Sequence, residues 1–239
     1  MVELVESLLH LPLGSHCVSF HVSREEAADH ATEFIAGSPP DKAASYWVSD
    51  PTLVAYYDER LSEIAPDQVG CVRALDHEQV ESVDGRLRPV EEVRAFVGAH
   101  PEGVSGGADT LSQYLSPENV PEHLEYEAWF DEQSRDGSRF LCPYDLRRVP
   151  PDVAPMVLRE LGQHHSHAVL SSSTEPAVKL LQLFVFATPA ELPAILHETH
   201  AWARREGYLV ESGPDQPLAL SSKGEAEVAR WSRATTVDW

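Results

Sequence analysis

Residues 14–37, GSHCVSFHVSREEAADHATEFIAG, give the first indication of the fold, because an apolar segment in them is followed directly by the signals of a helix start. The segment CVSFHV has the length and the β-branched and aromatic content of a buried strand. Ser23 is a good N-cap, and Glu26 three residues later completes a capping box. Apolar residues then recur at helical spacing until Gly37, where the helix is expected to end. The stretch therefore predicts a strand followed at once by a helix.

The same alternation continues along the chain. Further strands are predicted within residues 43–50, 67–76, 139–145 and 167–173, and further helices within residues 50–65, 88–100, 116–137 and 149–165. Strands that alternate with helices indicate an α/β fold, with a mostly parallel sheet and helices on both faces. In such sheets ligands bind at the carboxyl ends of the strands, so we expect a site at that edge.

The turn after the first strand decides against nucleotide hydrolysis. Its sequence, HVSREEAAD (21–29), has neither the glycines nor the lysine that a phosphate-binding P-loop needs. Glu25 and Glu26 open the helix, where their charge opposes phosphate. Asp145 follows an apolar strand, as a magnesium-binding aspartate does in ATPases. We predict a domain without a P-loop, and a degenerate nucleotide-binding protein is an alternative.

The pattern changes after residue 172, which divides the chain into residues 1–172 and 173–239. A helix is predicted within 174–187, two helical stretches between 188 and 207, two short strands around a Gly-Pro turn and a closing helix. This order predicts a small winged-helix-like or helical C-terminal module. If the module binds DNA, the expected reader is the helix that carries His200, Arg204 and Arg205. A dimerisation arm that makes a homodimer is the alternative.

The balance of charge constrains the partners. The chain has 39 acidic and 18 basic residues and a net charge of −21, and only three of the basic residues are lysines. Such a surface is typical of a halophilic protein, and it opposes broad contact with a nucleic-acid backbone. Residues 173–239 carry six basic and nine acidic residues, so we expect any DNA contact there. No apolar run is long enough to span a membrane and no basic leader is present, so we predict a cytoplasmic protein.

Histidine and cysteine side chains gather in three segments of the chain. They are His16, Cys17, Cys142, His164, His165 and His167. Such side chains bind zinc, iron or copper, but the spacing matches no established metal motif, so we predict no metal centre. A metal- or thiol-based redox sensor that uses His16, Cys17 and Cys142 is an alternative. His16 and Cys17 are neighbours on a strand and point to opposite faces, so we do not expect a nucleophilic pair.

Several of these motifs resemble the MEDS domain, the sensory domain of methanogen and methylotroph regulators that include the dichloromethane-responsive repressor. The family opens with a Gly-x-His element, an apolar strand and an acidic helix that ends in glycine, as in residues 14–37. It carries a Tyr-Glu pair on a long helix, a cysteine-aromatic-Asp strand end and a histidine after the next helix. The matching residues here are Tyr126 and Glu127; Cys142, Tyr144 and Asp145; and His164 or His165. The resemblance covers residues 8–172.

The resemblance implies a RecA-like or KaiC-like fold that has lost its ATP-binding loop and senses small organic molecules. The expected ligand-binding residues are His16, Phe20, Tyr126, Glu127, Cys142, Tyr144, Asp145 and His164. We therefore predict a non-enzymatic sensor or transcriptional regulator with no assigned cofactor. Binding of a small-molecule ligand is expected to bias the docking of the C-terminal module, which acts on DNA or on a protein partner.

Overall fold

The computed structural model describes residues 2–75, 88–109, 120–135, 137–211 and 213–235. In these residues seven strands form one sheet, in which every neighbouring pair is parallel. The strands are β1 (Glu3–Leu4), β2 (His16–His21), β3 (Ala43–Val48), β4 (Val72–Ala74), β5 (Val104–Ala108), β6 (Arg139–Asp145) and β7 (His167–Val169).

The order of the strands across the sheet is β1-β7-β2-β6-β5-β3-β4. Without the two edge strands, the central five run fifth, first, fourth, third, second in chain order, which is the arrangement of RecA-like folds. The predicted α/β fold with a RecA-like parallel sheet is confirmed.

Eight α-helices lie in the described residues. They are α1 (Arg24–Ala36), α2 (Thr52–Ile64), α3 (Arg88–Ala99), α4 (Val120–Ser134), α5 (Ala154–His164), α6 (Pro176–Leu183), α7 (His197–Arg205) and α8 (Ser222–Thr235). The capping box predicts the start of α1 correctly, because the Glu26 N–H donates to the Ser23 hydroxyl. The beginning of the helix predicted over 116–137 lies outside the described residues. None of the helices that the structure describes has the length and apolar character needed to cross a membrane.

Helices cover both faces of the sheet, as predicted. On one face α1 and α2 pack over Cys17, Tyr46 and Leu141. On the other face α4, α5, α6 and α8 share a larger core with Val18 and Phe20 of β2. Because side chains alternate along a strand, β2, β3, β6 and β7 each supply residues to both cores.

Strand β5, VSGGA, is not among the strands predicted from the sequence, because glycines ordinarily weaken a strand. The structure gives a packing reason for them. A Cβ atom on Gly107 would lie 2.8 Å from the ring of Tyr46, and one on Gly106 would lie 3.1 Å from the ring of Phe140. Large aromatic neighbours fill the space beside this strand, and only glycine leaves room for them.

The C-terminal segment differs from its prediction in two places. The helix expected from Thr188 is replaced by two 3-10 turns, Pro189–Glu191 and Ala194–Leu196, each preceded or opened by a proline that interrupts a helix. Among the residues that the structure describes, the expected hairpin is reduced to an antiparallel bridge between Leu209 and Leu220. The buried residues of the C-terminal segment belong to the same core cluster as Val18 and Phe20 of β2. They include Leu196, Ala203, Leu218, Val228 and Trp231. These elements do not establish a winged helix.

Candidate functional site

Four buried side chains from distant parts of the sequence meet beside the sheet. His16 begins β2, Cys142 lies in the middle of β6, Glu127 lies on α4, and His165 directly follows α5. One potential ligand atom of each lies within 4.8 Å of the others. Their exposed fractions are 0% for His16 and Glu127, 2% for Cys142 and 4% for His165. We call these four residues the His-Glu-Cys cluster.

The cluster converges on the carboxylate of Glu127. Its Oε2 atom lies 3.2 Å from Nε2 of His16 and 3.2 Å from Nε2 of His165. The Sγ atom of Cys142 lies 3.3 Å from Nε2 of His16. The two imidazole rings are tilted by 30° to each other, and their centroids lie 3.8 Å apart. One nitrogen of each ring, one carboxylate oxygen and one sulfur atom therefore face a common centre.

The remaining nitrogen of each ring is fixed by the backbone. Nδ1 of His16 lies 2.9 Å from the carbonyl oxygen of His164, and Nδ1 of His165 lies 2.6 Å from that of Leu161. A carbonyl oxygen only accepts, so each Nδ1 carries a hydrogen and donates it. In a neutral ring the lone pair is then on Nε2, which faces the centre of the cluster.

Burial and charge set the protonation of the acidic groups. Burial raises the pKa of the Cys142 thiol well above its usual value, and the nearby Glu127 carboxylate raises it further. Burial alone would raise the pKa of Glu127, but His165 and His16 hold it well below its usual range. Burial, followed by the charge of Glu127, raises the pKa of Tyr144, whose hydroxyl donates to Oε1 of Glu127. The site thus holds a carboxylate, a protonated thiol and a phenol.

The register of two strands explains how β2 and β6 build this face. Val18 pairs with Cys142 and Phe20 with Tyr144, so the alternate residues of both strands point to the same side. Cys17 points to the opposite side, as predicted, and lies in the other core. The redox site considered from the sequence, with Cys17 beside His16 and Cys142, is therefore not brought together.

Other residues predicted for the ligand site lie outside the cluster. Asp145 at the end of β6 binds the side chain of Arg147, with contacts of 2.8 Å and 2.7 Å. The ring of Phe20 packs 6.4 Å from that of Tyr144, and Tyr126 lies under the guanidinium of Arg94. The cluster contains the first residue of β2, so it does not lie at the carboxyl edge where we expected a ligand.

The choice between His164 and His165 depends on one backbone turn. His165 has extended backbone angles, φ −112° and ψ 139°, directly after α5, and its ring joins the cluster. His164 contributes its carbonyl oxygen to the cluster through His16. The doubled histidine at the end of a predicted helix was the signal in the sequence, but spacing alone does not say which ring turns inward.

At the carboxyl edge, the start of α1 is filled by a side chain of its own. The Glu26 carboxylate accepts the backbone N–H of Val22 at 3.0 Å, that of Ser172 at 2.7 Å and the hydroxyl of Ser171 at 2.9 Å. These donors are the kind that bind phosphate at helix N-termini. An internal carboxylate uses them here, in agreement with the glutamates that opposed phosphate in the sequence.

The residues predicted to contact DNA lie on α7. Arg204 and Arg205 are exposed and His200 is partly buried. Nη2 of Arg204 lies 3.5 Å from the carboxylate of Glu211, and both side chains are open to solvent. DNA binding stays a prediction.

Comparison with known proteins identifies no family for this chain. No family model matches the chain, and no curated protein matches it in sequence. Two solved structures are similar. A Pyrococcus horikoshii OT3 protein solved in a structural study has a TM-score of 0.46 and 10% identity over 69% of this chain and 85% of that one. The flagellar accessory protein FlaH from Methanocaldococcus jannaschii has a TM-score of 0.41 and 13% identity over 63% of this chain and 69% of that one.

Proposed function

We propose that this chain is a non-catalytic cytoplasmic sensor that receives a chemical signal at the His-Glu-Cys cluster and passes it to the C-terminal segment. The observation that carries the proposal is the position of His165. This residue belongs to the cluster and directly follows α5, and α5 packs against the C-terminal segment. A change in the cluster therefore acts on the end of a helix that contacts the output region.

Besides the shared apolar core, two close contacts link α5 to the C-terminal segment. Gly162 approaches the backbone after α6 so closely that a Cβ atom would lie 1.9 Å from the carbonyl oxygen of Val185. Nη2 of Arg159 donates to the carbonyl oxygen of Leu218 at 3.0 Å. Packed elements of this kind move as units, because close-packed interiors do not deform continuously. A shift of α5 is therefore expected to move the backbone at Val185 and at Leu218.

The dimensions of the cluster favour a small signal. Its ligand atoms lie within 4.8 Å of one another and all four residues are buried. A single ion, or a molecule of a few atoms, suits this space better than a large organic ligand. The organic ligand implied by the MEDS resemblance remains one candidate signal, and the output through DNA or a protein partner remains open to experiment.

Hydrogen exchange monitored by mass spectrometry tests the proposal. The full chain would be compared with and without short alcohols, halomethanes, small thiols and divalent metal ions. One of these is expected to slow amide exchange in α5 and also in α6 and α8. A probe that slows amide exchange around the cluster but leaves the exchange of residues 176–235 unchanged would refute signalling by this route.

A variant with a damaged contact sharpens the same experiment. Gly162→Ala should weaken the response of α6 and α8 while the response at the cluster persists. Gly98→Ala on α3 is the matched control, since a Cβ atom there meets nothing within 4 Å. Equal responses in both variants would show that the contact between Gly162 and Val185 carries no signal.

A further inference from the structure

We infer that the His-Glu-Cys cluster binds one divalent transition-metal ion, with zinc favoured by the set of donor atoms. Its ligands would be Nε2 of His16, Nε2 of His165, a carboxylate oxygen of Glu127 and Sγ of Cys142. The inference rests on the proposed function only in naming the ion as the signal, because metal binding can be measured without any output. It departs from the sequence-based expectation, since the ligands follow no known spacing.

Three of the distances between the four ligand atoms lie near those of a tetrahedral site, and all of them are within 4.8 Å. An ion held at the usual zinc–nitrogen, zinc–oxygen and zinc–sulfur distances separates its ligand atoms by about 3.3–3.7 Å. The separations of 3.2 Å between each imidazole nitrogen and Glu127, and of 3.3 Å between His16 and Cys142, lie close to this range. A small inward or outward adjustment of side chains would complete the site.

The surrounding contacts are those of a prepared metal site. Histidine ligands typically donate their second N–H to a carbonyl or carboxylate, which fixes the ring and its tautomer. His16 and His165 both do so, and Tyr144 fixes the other oxygen of Glu127. These outer contacts come from two elements, α5 and β6, and each of them orients a ligand atom toward the same centre.

The inner atoms also require a partner. Oε2 of Glu127 and Nε2 of His165 are buried and face each other at 3.2 Å without forming a hydrogen bond in the described structure. Two lone pairs that face each other repel, so a proton or a metal ion must lie between the carboxylate and the imidazoles. A metal ion at the centre of the cluster would satisfy the carboxylate oxygen and both imidazole nitrogens together.

Metal binding at this site balances in charge and atoms. A divalent ion displaces the thiol proton of Cys142 and the proton held between Glu127 and the imidazoles, and both protons pass to solvent. The site is neutral before, with one carboxylate and one proton, and neutral after, with one dication, one carboxylate and one thiolate. Neutrality matters because an unbalanced charge is costly to bury. Calcium and magnesium are disfavoured, since they prefer sites made of oxygen atoms.

Four protein ligands occupy all the coordination positions of a tetrahedral metal ion. Catalytic zinc sites keep a coordination position open, whereas closed sites do not. The closed set therefore points to the ion itself as the species detected, and not to an organic molecule bound to the ion.

The test is a titration of the metal-stripped, untagged full chain with Co²⁺ and Zn²⁺, with Mg²⁺ as a control. We expect one ion per chain and, with Co²⁺, a thiolate-to-cobalt charge-transfer band. Cys142→Ser should abolish the band and weaken zinc binding by about 100-fold or more, because loss of a ligand exceeds the effect of an outer contact. Cys71→Ser is the matched control and should leave both unchanged, since Cys71 is not in the cluster.

A second variant keeps the test informative if Cys142→Ser does not fold. Tyr144→Phe removes only the hydroxyl that holds Glu127, so it should weaken zinc binding by about 10- to 100-fold and keep the thiolate band. A folded wild-type chain with no saturable binding of Co²⁺ or Zn²⁺ would overturn the inference, and so would an unchanged band in folded Cys142→Ser.

If zinc binds and amide exchange in residues 176–235 does not change, the metal site stands and the sensory function fails. If no metal binds and an organic probe slows that exchange, the sensory function stands and the metal site fails.

Discussion

Arg139 shows how a single residue holds a charge in the interior of this protein. Its side chain is fully buried, and it donates to the carbonyl oxygens of Leu11 and Phe34 and to the hydroxyl of Ser105. Phe34 lies in the last turn of α1, where the helix dipole places partial negative charge. The guanidinium therefore joins β6, the end of α1 and the segment before β2.

Arg139→Met is expected to lower the free energy of unfolding by about 3–5 kcal/mol, because buried carbonyl groups lose their donors. Urea unfolding followed by circular dichroism would measure the change. Arg135→Met is the control, since that side chain is 72% exposed and pairs with Asp131 on the surface. The control should change stability by no more than about 0.5 kcal/mol. Equal effects in the two variants would contradict this role of Arg139.

Asp109 is expected to make the stability of the protein depend on pH. Burial raises the pKa of Asp109 from 3.8 to about 7, although Ser49 and Arg148 lower it and Asp50 raises it further. Between these two pKa values the folded state binds more protons than the unfolded state, so stability falls as pH rises through this range. Asp109→Asn keeps an oxygen that can accept the N–H of Ser49.

The variant Asp109→Asn should therefore lose less stability than the wild type between pH 5 and pH 8. Urea unfolding at both pH values gives the four free energies that are needed. Parallel changes in the two proteins would mean that Asp109 does not titrate in this range.

The sequence predicts most residues of the cluster but not their arrangement. His16, Glu127 and Cys142 are identifiable because short motifs mark them, and the alternation along β2 correctly separates Cys17 from them. The turn at His165 is set by local backbone geometry that no residue type dictates. Asp145 belongs to the same predicted strand as Cys142 and is expected in the same ligand site. In the structure it lies at the end of that strand and binds Arg147.

Among the elements, α5 is distinguished by the closeness of its packing. Gly162 lets the helix touch the backbone at Val185, whereas Gly98 on α3 has open space beside it. We expect Gly162→Ala to destabilise the protein by about 2 kcal/mol or more, since a clash with backbone forces the helix to move. Gly98→Ala should instead stabilise it by about 0.5–1 kcal/mol, the usual gain within a helix. Thermal unfolding of both variants checks this, and similar melting temperatures would contradict it.

Elements with regular patterns are predictable from the sequence, and elements set by tertiary packing are not. The capping box at Ser23 predicts α1, because capping is a local interaction. Strand β5 escapes prediction, because its glycines make sense only beside the rings of Tyr46 and Phe140. The helix expected from Thr188 does not form for a local reason, because the prolines at 189 and 193 interrupt it.

For the whole molecule, the net charge of −21 has a consequence for stability. Repulsion between surface carboxylates opposes the compact state, and salt reduces its range from about 10 Å at 0.1 M to about 3 Å at 1 M. We expect the melting temperature to rise from 0.1 M to 2 M KCl. Sucrose of equal osmolality is the control for effects of solute exclusion. A rise in KCl no larger than that in sucrose would contradict electrostatic stabilisation.

The architecture of the whole sheet follows from the sequence, whereas the position of the site on it does not. Alternating strands and helices indicate a parallel sheet covered on both faces, and the structure agrees. The rule that ligands bind at the carboxyl ends of strands assumes an open crevice there. Here the carboxylate of Glu26 occupies the start of α1. The His-Glu-Cys cluster lies on a covered face of the sheet, near the start of β2.

The most direct test of the metal site is an anomalous difference map, recorded at the zinc edge, from a crystal of untagged protein grown with zinc. We expect one peak within about 2.0–2.3 Å of Nε2 of His16, Nε2 of His165, a carboxylate oxygen of Glu127 and Sγ of Cys142. Well-ordered side chains at these positions without a peak between them, in the presence of excess zinc, would contradict it.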